Sequence, residues 1–129
     1  MSYILLIEDN QGNADMMIRL LETVGFTVKH FIKGMEGARQ AYAERPTLIL
    51  LDFNLPDVDG RTLILTLKKR LGGADAPPVI AVTARTGVVE EMVAQSFGCD
   101  AFVRKPFDPQ EFVNVVTKFV KTEKGQTNI

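Results

Sequence analysis

Apolar residues along this chain fall into two alternating patterns. Five short segments, YILLI (3–7), TVKHFI (27–32), TLILLD (47–52), PPVIAVTA (77–84) and AFVRK (101–105), are rich in Ile, Leu and Val. They are too short for globular helices and are bounded by turn residues, so they read as strands. Between them the apolar spacing changes to three and four. Met16, Met17, Leu20, Leu21 and Val24 share one helical face before the stop at Gly25. Gly34 to Glu44 predicts a weaker helix with Ala38, Ala41 and Tyr42 inward. A loop with Pro56 and Gly60 leads to a helix marked by Leu63, Ile64 and Leu67. Another helix is predicted from Gly87 to Phe97, and Pro109 opens a last one with Phe112, Val116, Phe119 and Val120 inward.

Five strands alternating with five helices predict an α/β fold, a doubly wound (βα)5 unit with a parallel sheet and helices on both faces. TLILLD is apolar on both faces, as a central parallel strand requires. Right-handed crossovers leave few topologies, and the flavodoxin-like order 2-1-3-4-5 fits best. One domain is expected over residues 1–121, followed by a frayed tail at 122–129. In such a sheet the ligand crevice lies at the carboxyl ends of the strands.

Composition narrows the function. The chain has 129 residues, 46% of them hydrophobic and 24% charged, which is ordinary globular usage with enough length for a real core. Fifteen basic against sixteen acidic residues give a net charge of -1, so no overall field attracts nucleic acid. No basic run suggests a membrane surface. The first residues carry no signal-peptide pattern and the single cysteine, Cys99, has no internal partner, so a cytoplasmic location is expected.

The polar residues at the strand ends carry the chemistry. The first strand ends in Glu8 and Asp9, the third in Asp52, the fourth in Thr83 and the fifth in Lys105. In a parallel sheet these ends share one edge, so an apolar strand would hold the Asp52 carboxylate up into a polar crevice. Three carboxylates close together repel one another, and a hard divalent cation such as Mg²⁺ relieves that repulsion. Asp52 could then act as a nucleophile on a phosphoryl group, with Lys105 and the metal countering charge on the phosphoryl oxygens and Thr83 offering a hydroxyl.

IEDN, LLDFNLPDVDG, VTA and FVRKP together resemble the signature blocks of the receiver domain of two-component response regulators. The likeness runs from about Tyr3 to Val120 and is greatest to stand-alone receivers of the chemotaxis and cell-division type. It implies that Asp52 accepts a phosphoryl group from a phosphohistidine on a sensor histidine kinase or histidine phosphotransfer protein. It further implies Asp9, Asp52 and the backbone carbonyl of Asn54 as Mg²⁺ ligands, with Glu8 bound to the metal through water. Thr83 and Phe102 match a switch pair, Lys105 matches the family's lysine, and the bond from Lys105 to Pro106 matches one that is usually cis. Such a domain is a phosphoacceptor regulator of a downstream target protein rather than an enzyme, assisting only its own phosphotransfer and autodephosphorylation. It would be a monomer or a phosphorylation-dependent dimer.

Three departures from the family pattern stand out. The acidic pair is Glu-Asp rather than Asp-Asp, the switch aromatic is Phe102 rather than Tyr, and Leu55 stands where Met is frequent. Asn54 and Arg85 occupy positions that tune autodephosphorylation in the family. For partner docking, Ile18 lies off the apolar stripe of the first helix with Ala14 nearby, and Val115 lies off that of the last helix.

Other readings fit less well. A haloacid-dehalogenase-like phosphatase would need a second aspartate two residues after the nucleophile, where this chain has Asn54. A flavodoxin-like nucleotide binder would need a phosphate loop where Glu8 and Asp9 stand. A pseudo-receiver serving only as an interaction module typically lacks the acceptor or the lysine, and both are present here. No DNA-binding module is expected, and output is expected to run by protein contact or onward phosphotransfer. His30, on the second strand away from the crevice, and Cys99, before the fifth, are expected to be structural, and Gly12, Gly25 and Gly60 to be turn or cap residues.

Overall fold

The computed structural model describes residues 2–84, 92 and 95–120 in full, together with the backbone of 121–124. Five parallel strands, β1 (Ile4–Ile7), β2 (Val28–Phe31), β3 (Leu48–Leu51), β4 (Val79–Thr83) and β5 (Ala101–Arg104), form one sheet in the order β2-β1-β3-β4-β5. Strand alternation divides the apolar residues between two cores. Leu5, Ile7, Ile49, Leu51, Val79 and Ala81 face one side, while Ile4, Leu6, Leu48, Leu50, Ile80 and Val82 face the other. Every side chain of β1, β3 and β4 is buried, whereas β2 is half-buried along its length, as an edge strand should be.

Helices α2 (Gly34–Ala43) and α3 (Gly60–Arg70) cover the first side, and α1 (Gln11–Thr23) and α4 (Pro109–Lys124) the second. The helix predicted from Gly87 to Phe97 lies mostly outside the described residues, as does Arg85. On α2 a close approach to β1 falls at Gly37, where a Cβ would overlap the Ile7 side chain. Helix α4 runs to Lys124, past the predicted boundary at 121. The sequence KTEK contains good helix formers and no breaker before Gly125, so the hydrogen-bonded spiral continues.

The face of α1 differs from the prediction. Ala14, Met17 and Leu21 are buried, while Met16 and Val24 are 39% and 49% exposed. The apolar arc of this helix is wide, and packing turns Ala14, Met17 and Leu21 inward. Ala14 is therefore core and offers no docking surface. Ile18 is half-buried and packs on the same core.

Candidate active site at the carboxyl edge of the sheet

The strand ends converge as the parallel register requires. Ile7 pairs with Leu51, so Glu8 and Asp52 leave adjacent strands at the same height, and Asp52 N–H donates to the Ile7 carbonyl at 3.3 Å. Oxygens of Glu8, Asp9 and Asp52 all lie within 4.8 Å of one another. Glu8 is 1% exposed and Asp52 7%, whereas Asp9 is exposed. From the end of β5, Lys105 Nζ reaches Glu8 Oε1 at 2.8 Å and Asp52 Oδ2 at 2.9 Å. The Lys105–Pro106 bond is cis.

Among the described residues, the cluster sets three carboxylates against the one ammonium of Lys105. Burial pushes the Glu8 carboxyl above its ordinary range, and hydrogen bonds from Lys105 and the Asn10 N–H only partly oppose it, while the Asp52 charge adds to the rise. Burial alone would depress the Lys105 ammonium, but its hydrogen bonds to Glu8 and Asp52 and their charges hold it above the usual lysine range. Among the described residues, one ammonium is shared by these two buried carboxylates. The donor set around them is all oxygen, with an exposed third carboxylate, and this fits a hard divalent cation of the Mg²⁺ kind.

The loops bind these groups to the scaffold. Asn10 caps α1 by accepting from Asn13 N–H at 2.8 Å, while its own N–H donates to Glu8 Oε2 at 3.1 Å. Asn54 N–H donates to Asp52 Oδ1 at 3.2 Å, and Asn54 and Asp9 share an open cavity of about 500 Å³ with Asp57, Asp59 and Arg61. Asp59 caps α3 through Arg61 N–H at 2.8 Å. Asp57 reaches across to α2, accepting from Gly34 N–H at 2.8 Å and Met35 N–H at 3.0 Å, and these donors hold its carboxyl below the usual range. The loop after Asp52 thus supplies the cap that Lys33 cannot give α2.

Thr83 is wholly buried at the end of β4, and its carbonyl accepts from Lys105 N–H at 3.0 Å. Phe102 is half-buried two residues down the same face and meets Phe53 edge-on, with centroids 5.7 Å apart at 72°. Val115 is half-buried and borders a groove of about 450 Å³ with Phe102, Arg104, Phe107 and Glu111. Cys99 is buried, its Sγ lying 2.7 Å from the Ala101 carbonyl, and burial raises its thiol pKa, which suits a filler rather than a nucleophile.

Two residues have more to do with the site than their sequence context suggests. Gly60 is more than a helix-start glycine: a Cβ there would overlap the Asp52 carbonyl oxygen and the Phe53 Cα. His30 is not remote from the crevice, because its Nε2 lies 2.8 Å from the backbone carbonyl oxygen of Glu8. Neither contact has a sequence signal, since both depend on how two elements approach each other.

Comparison with known proteins agrees with this geometry. Residues 4–117 match the family model of the response regulator receiver domain. The chain is 37% identical over 106 residues to the transcriptional regulatory protein CreB of Escherichia coli, covering 82% of this chain and 45% of that protein. It thus spans about half the length of that curated relative. Identity to the polar-differentiation response regulator DivK of Brucella anthropi is 32% over 120 residues, covering 91% and 94% of the two chains. Among solved structures, the receiver domain of the sensor histidine kinase PA1611 from Pseudomonas aeruginosa, with magnesium coordinated in its active-site cleft, superimposes with a TM-score of 0.82. It is 27% identical, and the match covers 92% of this chain and 97% of that one.

Proposed function

This chain belongs to the response regulator receiver domain family of two-component signalling, and from that premise we propose that it is a phosphorylation-dependent switch whose acceptor is Asp52. The observation that carries this reading is the Lys105 ammonium held between the buried carboxylates of Glu8 and Asp52 beside Asp9. One carboxylate oxygen of Asp52 forms the bond to phosphorus. The P–N bond of a phosphohistidine on a sensor kinase or phosphotransfer protein breaks, and its electron pair leaves with the imidazole. Lys105, already 2.9 Å from Asp52, follows the charge onto the phosphoryl oxygens. Asp9, Asp52 and the Asn54 carbonyl, with Glu8 through water, are the residues that would hold Mg²⁺, and the cation when bound supplies further positive charge to those oxygens.

Readout passes through the Thr83 hydroxyl, drawn toward the phosphoryl group, and the Phe102 ring, turning inward behind it. The surface altered is the groove that Phe102 and Val115 both line. Output would then run through contact of this groove with a target protein. Among the described residues no helix is long and apolar enough to cross a membrane.

The test is labelling by phosphoramidate, a small phosphodonor, followed by intact mass. The chain is expected to gain one phosphoryl group with Mg²⁺ and none with EDTA, and Asp52→Asn to gain none. Equal labelling of Asp52→Asn would assign the acceptor elsewhere. No labelling of the unaltered chain would favour the interaction-module reading.

A further inference from the structure

The carbonyl of Glu8 is held in an unexpected way. Glu8 N–H donates to the Phe31 carbonyl at 3.0 Å, which continues the parallel ladder between β1 and β2 by one residue. In a ladder that ran on, the Glu8 carbonyl would accept from the backbone N–H of Lys33. Lys33 instead begins α2 as its N-cap residue, and the chain turns away from the sheet. The Glu8 carbonyl accepts from His30 Nε2 at 2.8 Å. A carbonyl oxygen can only accept, so Nε2 carries the hydrogen.

We propose that His30 is a positioning residue for the divalent-cation site. Its ring, anchored on β2 opposite Leu6, replaces the missing ladder bond and fixes the Glu8 peptide at the point where the chain delivers Glu8 and Asp9. The same short turn contains Asn10, whose N–H holds Glu8 Oε2 and whose side chain starts α1. One side chain on the edge strand therefore sets the orientation of two of the three clustered carboxylates without touching either carboxyl group. This inference rests on the Mg²⁺ reading of the cluster.

The experiment compares the unaltered chain with His30→Gln, which keeps an amide donor at similar reach, and His30→Leu, which keeps volume and loses the donor. Mg²⁺ dissociation constants are measured by titration calorimetry, with thermal unfolding in EDTA run alongside. Loss of an orienting outer partner weakens metal binding by roughly ten-fold or more. His30→Leu is expected to show that loss while folded, and His30→Gln to recover most of it. Equal Mg²⁺ affinity in all three chains overturns the inference, as does equal weakening in both variants, since the donor would then be irrelevant. Failure of the unaltered chain to bind Mg²⁺ would instead overturn the metal reading on which it rests.

Discussion

Lys105→Met is expected to abolish phosphotransfer and to destabilise the folded chain in a pH-dependent way. Lys105 is the counter-charge seen on both Glu8 and Asp52, which are 1% and 7% exposed. Removing one partner of a buried ion pair costs roughly 3–5 kcal/mol, because the remaining charge is left without water or counter-charge. In the variant the Glu8 carboxylate lowers that cost by binding a proton. Burial already raises Glu8, and the lysine that opposes the rise would be gone. A folded-state pKa above the unfolded one means that stability is intact in acid and lost as pH rises through the folded value. The deficit relative to the unaltered chain should therefore be small near about pH 5 and large near about pH 8. Urea unfolding at both pH values in EDTA measures it, and added Mg²⁺ should restore part of the loss at the higher pH. A deficit that does not change across that range would mean that the loss comes from packing of the lysine stem rather than from unpaired carboxylate charge.

Gly60→Ala is expected to slow phosphorylation of Asp52 by on the order of 100-fold, the scale that a displacement of about 1 Å at a reacting group can reach. The added Cβ would meet the Asp52 carbonyl oxygen and the Phe53 Cα, both backbone atoms that cannot swing aside like a side chain. Gly60 N–H also donates to the Phe53 carbonyl at 2.8 Å, so the start of α3 and the end of β3 are tied directly together. Relief requires α3 and the acceptor backbone to part. The overpacking should also cost about 1–3 kcal/mol of stability. Phosphoramidate labelling rates and urea unfolding measure the two effects separately. A normal labelling rate in a destabilised protein would show that the clash is relieved away from Asp52.

The carboxylate cluster was legible because a parallel sheet turns sequence into position. Once LILL is a central strand and ILLI its neighbour, the next residues of both must emerge at the same edge, and Glu8 and Asp52 do. Lys105 follows by the same logic from β5, whose Thr83–Arg104 pairing puts it one residue beyond the end of β4. What escaped the sequence depended on lateral approach. The wide apolar arc of α1 allowed several faces, and packing kept Met17 and Leu21 inward as expected but chose Ala14 over Met16 and Val24. The contact of His30 with Glu8 needs the Leu6–His30 register, which no local pattern of β2 announces. Asp57 reads as a turn residue in PDVDG, yet it caps a helix that starts 23 positions earlier.

The central claim is that the Asp52 pocket is coupled to Thr83 and Phe102. With no tryptophan in the chain to report on the site, amide NMR is the direct measurement. Spectra would be recorded with Mg²⁺ before and after adding beryllofluoride, a mimic of the aspartyl phosphate, with Asp52→Asn as control. Large shifts at Asp52, Thr83 and Phe102, extending to Val115 and absent from the control, are the predicted result. Shifts confined to Asp9, Asp52 and Asn54, with Phe102 and Val115 unmoved, would contradict the account, because the pocket would then bind its ligand without driving a switch.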